Sequence, residues 1–367
     1  MQEFISNIIH LFDNVRDYRG KVVEYPIGEV LFLFSVGIMG GCVDFEDIVE
    51  FCKLRLNDLR EYMPFHNGIP HPRTIARIIS NISAEALSSI LGRFFSDVAA
   101  NSGHIALDGK HIGGGIFSVS AFETNEGLTI AQSAPFSQGH ELSGIKEIIT
   151  SLNLKGCAVT IDAIGCNKEV FDLIKKSKGE AVIAIKSNAK YLYKQVKNLF
   201  ENNIENTEED SLMHKAVSLD KGHGRVEERA ARVLHDLSAL PETRLWPHMR
   251  SIVEITSKRY IKGKESTERR YYASTKALTA EECLHLIRSH WSIENNLHWI
   301  LDVNLKEDDN KHLIKNARYN IATIKRIVMN LLKPLKPDKL SLRAFHRRIA
   351  RDPQTMHTVI KQSFLTF

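Results

Sequence analysis

The chain has 367 residues, 43% of them hydrophobic and 25% charged, with a formal net charge of +5. That balance excludes a disordered polar chain and a disulfide-dense mini-protein, and leaves room for a sizeable core and more than one domain. The mild basic excess suits a polyanionic partner without demanding one.

The cysteines, Cys42, Cys52, Cys157, Cys166 and Cys283, are odd in number and scattered, with no Cys-x-x-Cys pair to hold zinc. Reduced thiols in a cytoplasmic protein fit best. The most apolar run, Leu31 to Val43, is shorter than the ~20 residues of a membrane-spanning helix. It reads as a buried core helix, and no membrane partner is expected. The segment Met1 to Arg19 mixes Glu3, Asp13 and Arg16 with apolar residues, which is unlike a secretory signal.

From Phe4 to about Ala100 the pattern is helical, with one clear break at Asn67-Gly68-Ile69-Pro70-His71-Pro72. Asp44 is a candidate N-cap for a helix whose Phe45, Ile48, Val49, Cys52, Leu56 and Leu59 share one apolar face. Ser83 can cap another, with Leu87, Ile90, Leu91, Phe94 and Val98 in its stripe.

After Ser102-Gly103 short β-prone runs follow, Ile105 to Leu107, Ile116 to Phe122 and Leu128 to Gln132, separated by glycines as in an antiparallel meander. A helix is expected from Glu141 to Leu152, a strand from Cys157 to Ile161, a helix from Lys168 to Lys176, a strand from Ala181 to Lys186 and a helix from Tyr191 to about Leu199. Three meander strands followed by alternating helices and strands match the order of elements in an RNase H-like α/β fold with a mixed sheet. Between Asn202 and Thr275 the sequence reads as a β-rich insertion, with strand-like runs at Lys215 to Ser218, Ala231 to Leu234, Ile252 to Thr256 and Tyr271 to Ser274. It turns helical from Thr279 through Leu301 and from Lys311 to Leu332, and a last basic helix spans Leu340 to Arg351. The expected organisation is therefore a helical domain over 1–100, a catalytic core over 101–335 interrupted at 202–275, and a basic helical tail over 336–367.

Two carboxylates stand out. Asp108 ends the first expected strand in Leu107-Asp108-Gly109-Lys110, and Asp162 ends the fourth after Val159-Thr160-Ile161. In the expected fold those strands are neighbours, so the carboxylates meet and repel unless protonated or bridged by cations. Magnesium is the natural bridge, since it takes oxygen ligands and coordinates phosphate oxygens. Two such ions about 4 Å apart support in-line displacement at phosphorus. The third carboxylate comes from a helix in which His290, Glu294, His298 and Asp302 recur along one face between Trp291 and Trp299. Glu294 is the first choice, with His298 and Asp302 read as hydrogen-bonded residues that orient the helix.

The motifs Asp17-Tyr18-Arg19, Gly68-Ile69-Pro70, Leu107-Asp108-Gly109-Lys110, Thr160-Ile161-Asp162-Ala163, Ile185-Lys186-Ser187-Asn188, His223-Gly224-Arg225-Val226-Glu227 and Arg288-Ser289-His290-Trp291-Ser292-Ile293-Glu294-Asn295 together resemble bacterial insertion-sequence transposases with a DDE triad. The branch they most resemble contains the H-repeat-associated proteins of Rhs elements. The resemblance implies a triad at Asp108, Asp162 and Glu294, Mg2+ or Mn2+ as cofactor, and cleavage and joining of DNA at element ends. It departs from the family at Gln138-Gly139-His140-Glu141, where a Lys-Ser-Asn-Glu run is usual, at Gly113 in place of arginine, and at Ala189 in place of glutamine. Around Glu294, His290 stands at an arginine position and Leu301 at a lysine position.

Lys110, Lys186, Lys190, Arg225 and Arg288 lie in or beside these motifs and are candidate phosphate contacts. Arg343, His346, Arg347, Arg348 and Arg351 would form a basic helical face, and Arg73 and Arg77 follow the proline turn. The expected partners are element-end and target DNA, with a homodimer or larger assembly on DNA in the bacterial cytoplasm or nucleoid. Two other readings compete. One is a transposase-derived DNA-binding protein with impaired catalysis. The other is a small-phosphoester hydrolase holding metal on His290 and His298 without Asp108 or Asp162.

Overall fold

The computed structural model describes residues 12–19, 23–95, 98, 101–202, 213–222, 225–246, 248–261, 263–309 and 315–365. His223 and Gly224, the side chain of Arg225, and the expected helical starts at residues 4–11 and 311–314 lie outside the described residues.

The N-terminal region is helical but more broken than its pattern suggests. Helix α1 (Ile27–Met39) is buried along its whole length and stops at Gly40, the turn at Gly40 to Val43 separating it from α2 (Phe45–Leu54). The short α3 (Leu56–Leu59), α4 (Pro72–Asn81) and α5 (Ala84–Phe94) follow. Asp44 caps α2 by accepting from Asp47 N, and Ser83 caps α5 by accepting from Ala86 N, as their positions before apolar stripes require. Pro72 opens α4 at a position where its missing N–H costs nothing.

Strands β1 (His104–His111), β2 (Ile116–Glu123) and β3 (Leu128–Gln132) form the antiparallel meander, with a two-residue β4 (Phe136–Ser137) pairing beside β2. Helix α6 (Glu141–Ser151), β5 (Ala158–Ile161), α7 (Lys168–Lys176), β6 (Glu180–Ile185) and α8 (Lys190–Asn202) come next. β5 lies parallel to β1 on one side and to β6 on the other. The 202–275 segment supplies β7 (His214–Gly222), β8 (Arg225–Leu234), β9 (Ser251–Ile261) and β10 (Lys264–Ser274). Instead of standing apart, these strands extend the same sheet through antiparallel pairing of β10 with β6, giving the order β3-β2-β1-β5-β6-β10-β9-β8-β7. The result is a mixed α/β fold around one mixed ten-stranded sheet.

Helix α9 (Ala280–His290) begins with a reciprocal cap, Thr279 Oγ accepting from Glu282 N and the Glu282 carboxylate accepting from Thr279 N. It lays Cys283, Leu284, Leu286 and Ile287 onto Val233, Val253, Ile255 and Tyr272 of β8, β9 and β10. The helical pattern expected to run on to Leu301 does not continue as one α-helix: a π-turn spans Glu294–His298, then α10 covers Trp299–Val303.

Helix α11 (Lys315–Leu332) ties the sheet to the N-terminal helices. Asn320 Nδ2 donates to Ile79 O and Ile82 O at 2.7 and 2.9 Å, while Asn330 Nδ2 donates to Thr129 O and its Oδ1 accepts from Thr129 N. Helices α12 (Leu342–Arg351) and α13 (Pro353–Leu365) close the fold. The basic face expected on α12 is incomplete, because His346 is buried and its Nδ1 bonds Met39 O of α1 at 2.8 Å. Arg55 Nη2 donates to Ala350 O, and Tyr62 OH bonds His357 Nδ1, so the C-terminal helices share the N-terminal core. No described helix is long and apolar enough to cross a membrane.

Arg326 is the most demanding group in this core. Fully buried on α11, its guanidinium reaches Glu307 at 2.8 Å, Ser120 Oγ at 3.2 Å and Ala322 O at 2.9 Å. Removing the cation leaves Glu307 buried and uncompensated, so Arg326→Ala is expected to destabilise the protein by about 3–5 kcal/mol in urea denaturation. The double variant Arg326→Met with Glu307→Gln should recover part of that loss, whereas an Ala variant within about 1 kcal/mol of wild type would contradict the ion-pair account.

Candidate active site

The site is built where β1 and β5 part. Their parallel register ends at Leu107 opposite Ile161, so Asp108 and Asp162 are the next residues on neighbouring strands. β1 does not stop at Asp108 as its apolar run suggests. It continues to His111 against β2, with Asp108 opposite Ser120, and this second partner holds Asp108 in place after β5 has turned away.

Asp162 caps the 3-10 turn Ala163–Gly165 by accepting from Ile164 N at 3.1 Å. The turn folds back tightly enough that a Cβ on Gly165 would lie 2.5 Å from Ile161 Cγ2, which excludes any larger residue without movement. Asn188 Nδ2 donates to Ala163 O and ties this turn to Ser187–Ala189, directly after Lys186.

The π-turn brings Glu294 to the same place. His298 Nδ1 stands 3.4 Å from Asp108 Oδ2 and 3.5 Å from Glu294 Oε2. Donor atoms of Asp108, Glu294 and His298 lie within 4.8 Å of one another. Asp108, Asp162 and Glu294 line one cleft of about 380 Å³ together with Lys186, Arg270 and His290.

The expected ladder holds, with a different job for each rung. His290 Nδ1 bonds Thr160 Oγ at 2.9 Å, and Thr160 Oγ also bonds His104 Nε2 at 2.8 Å, whose Nδ1 meets Thr124 Oγ at 2.9 Å. This chain, buried at His104 and Thr160 and half-buried at Thr124 and His290, pins the end of α9 to β5 and β1. Burial pushes His290 down to about 4 and His104 down to about 3, so both rings are neutral at physiological pH. Asp302 takes the Lys110 ammonium at 2.6 and 2.7 Å. Trp291 and Trp299, which flank the ladder, are exposed, and the Arg270 guanidinium lies 4.8 Å from the Trp291 ring centroid.

Electrostatics mark the cluster as short of positive charge. Burial, then Glu294, then Asp162 push Asp108 up to about 8. Glu294, half exposed and bonded by His298, is lowered, so the coupled pair keeps one proton and Asp108 carries it. Burial also raises Asp162, Lys186 opposes that, and Glu141 at the start of α6 adds to it. Glu141 was missed as a neighbour of the site, because its sequence context marked only the first residue of a helix. The oxygen-rich, partly protonated set fits a hard divalent cation, which would replace the proton.

The basic candidates divide. Lys186 is exposed beside Asp162 and Lys190 is exposed at the start of α8, whereas Lys110 is buried and occupied by Asp302. Arg288 pairs with Asp220 at 2.5 Å. At Gly113, where the family resemblance leads one to expect arginine, φ is +87° and a Cβ would sit 2.6 Å from Arg318 Nη1, so a guanidinium from α11 fills that space. For the small-phosphoester reading, His290 and His298 would have to share an ion, yet His290 Nδ1 is engaged by Thr160 and His298 faces Asp108 and Glu294.

Comparison with known proteins agrees with this arrangement. Residues 108–331 match the family model described as "Transposase DDE domain", and residues 9–95 match "DDE_Tnp_1-associated". The chain is 33% identical over 374 residues to "H repeat-associated putative transposase YhhI" of Escherichia coli K12, covering 96% of this chain and 97% of that one. It is 31% identical over 364 residues to "Putative transposase YncI" of Escherichia coli O157:H7, covering 94% and 92%. A shorter match, 39% over 66 residues, covers 17% of this chain and 77% of "Inactive transposase YbfQ". This chain belongs to the DDE transposase family.

The raised Asp108 has a consequence for stability. A carboxyl whose folded-state affinity for a proton exceeds its unfolded one contributes stability that is lost as pH rises toward about 8. Glu294, shifted the other way, is ionised in both states above about pH 6 and adds no slope there. Metal-free wild type should therefore lose thermal stability between about pH 6 and 9 more steeply than Asp108→Asn. The variant is expected to melt about 2–4 °C higher than wild type at the alkaline end. Parallel pH profiles for the two proteins would contradict the assignment.

Proposed function

We propose that this chain is a DNA transposase that cleaves strands at the ends of an insertion element and transfers them to target DNA, with Asp108, Asp162 and Glu294 as its catalytic carboxylates. The observation that carries the reading is the placement of two aspartates just past the last paired residues of adjacent parallel strands, with Glu294 lining the same cleft. An antiparallel meander followed by two parallel strands on the β1 side supports an RNase H-like core within 101–335, with 202–275 as its insertion, 1–100 as an associated helical unit and 336–367 as a helical tail.

Asp108, Asp162 and Glu294 would hold Mg2+ or Mn2+, two ions in the full assembly. Bound there, such ions supply activation of the attacking oxygen and charge neutralisation at the leaving one. The protein's own contribution is positioning. The Thr160 bridge to His290 fixes the helix that carries Glu294, and the Lys110–Asp302 pair fixes the next turn. Lys186, which lines the cleft, and the exposed Lys190 four residues on offer positive charge to phosphates, and Arg225 and Arg288 are further candidate phosphate contacts, Arg288 on release from Asp220. DNA is the partner, in a dimer or larger assembly on paired ends, in the cytoplasm or on the nucleoid.

The second reading is a transposase-derived DNA-binding protein with impaired catalysis. It is favoured by the departures at Gln138 to His140 and by the similarity of one segment to a relative named inactive. Nicking of a plasmid carrying the DNA that flanks the coding frame separates the two. Asp162→Asn is expected to reduce Mg2+- or Mn2+-dependent nicking by roughly 10³-fold, with DNA binding retained or tightened. Wild type that binds but never nicks would favour the second reading. In binding titrations, Lys186→Ala with Lys190→Ala should lower the slope of log K against log salt by about 2. An unchanged slope would remove these lysines from the DNA path.

A further inference from the structure

His298 is buried, with only 6% of its side chain exposed, yet it faces the most exposed member of the acid cluster. Its Nδ1 lies 3.4 Å from Asp108 Oδ2 and 3.5 Å from Glu294 Oε2. Charge-assisted hydrogen bonds from nitrogen to carboxylate are shorter, about 2.7–2.9 Å. Atoms that share one ion at about 2.1 Å sit roughly 3.0–3.4 Å apart in octahedral or tetrahedral arrangements. At 3.4 and 3.5 Å the nitrogen is farther from both carboxylates than such a hydrogen bond and near the upper end of the spacing of ligands on a common ion.

The surroundings point the same way. Among the described residues Nε2 of the ring has no hydrogen-bond partner, and the two carboxylates are the polar groups that Nδ1 meets. In the tautomer with its proton on Nε2, the ring would offer the Nδ1 lone pair to a cation bound between them, in place of the hydrogen bond it gives Glu294 without one. The backbone is shaped to allow this. The π-turn bond from Trp299 N to Glu294 O opens the helix by one residue at the point where Glu294 and His298 face the strands. An α-helix with a plain solvated face would have no need of that defect.

We infer that His298 supplies a nitrogen ligand, through Nδ1, to the ion held by Asp108 and Glu294. The site then prefers an ion that accepts imidazole, such as Mn2+, over Mg2+, which favours an all-oxygen shell. This rests on the carboxylate assignment proposed above and adds to it the identity of one ligand and the class of ion.

Pulsed electron paramagnetic resonance of full-length wild type at saturating Mn2+ tests it without recourse to catalysis. The expected spectrum shows the nitrogen modulation of a directly bonded imidazole, lost in His298→Ala and kept in His290→Ala. In calorimetric titrations, His298→Gln should weaken Mn2+ binding by at least about tenfold and Mg2+ binding by clearly less. Mn2+ bound in an Asp108-dependent manner, but without nitrogen modulation, overturns the inference and leaves the carboxylate site standing. Mn2+ binding unaffected by Asp108→Asn defeats the carboxylate site itself. Because the wild-type spectrum decides the matter, a His298 variant that fails to fold does not rescue the idea.

Discussion

The parallel pairing of β1 with β5 is the constraint on which the rest of the site depends. Four residue pairs, from His104 with Ala158 to Leu107 with Ile161, set the register. A shift by one residue would turn one aspartate to the opposite face of the sheet. Both strands are lined by residues that cannot tolerate that exchange, since Ile105, Leu107, Val159 and Ile161 are all buried. The apolar packing that stabilises the sheet thus also aligns two carboxylates that repel each other.

That repulsion is contained by the surrounding structure. β2 continues to hold β1 beyond Asp108, the capped turn after Asp162 is fastened by Asn188, and the hydrogen-bonded chain of Thr124, His104, Thr160 and His290 anchors α9. The inserted strands add a second support, because α9 packs its apolar face onto them. β8, β9 and β10 therefore do more than extend the sheet: they are the platform from which the helix before Glu294 is aimed. Strain of this kind, a cluster of acids held close together, is a common trade of stability for function.

Much of this was legible in the sequence, and for identifiable reasons. Helix α7 and strand β3 begin and end where their pattern predicts, because Asn167 and Gly179 bracket the helix and Gly127 and Pro135 bracket the strand. Asp108, Asp162 and Glu294 stand out by strand-end position and helical spacing, and the structure brings them to one cleft. Long-range pairing was not legible. Nothing local in Lys110 shows that its ammonium will be taken by Asp302, nor in His346 that it will turn inward to Met39. Amphipathic periodicity gave no sign of the π-turn, since a one-residue expansion hardly disturbs the spacing of His290, Glu294, His298 and Asp302. The inserted strands showed only their apolar cores, so their charged outer halves, such as Lys258 to Ile261 and Lys264 to Arg269, read as loop.

Anomalous diffraction from crystals grown with Mn2+ addresses the central claim most directly. The account places an anomalous peak within about 2.2 Å of an Asp108 carboxylate oxygen, flanked by Asp162 and Glu294. A peak on His290 with both aspartates bare, or a cleft that stays empty of metal at saturating Mn2+, would contradict it.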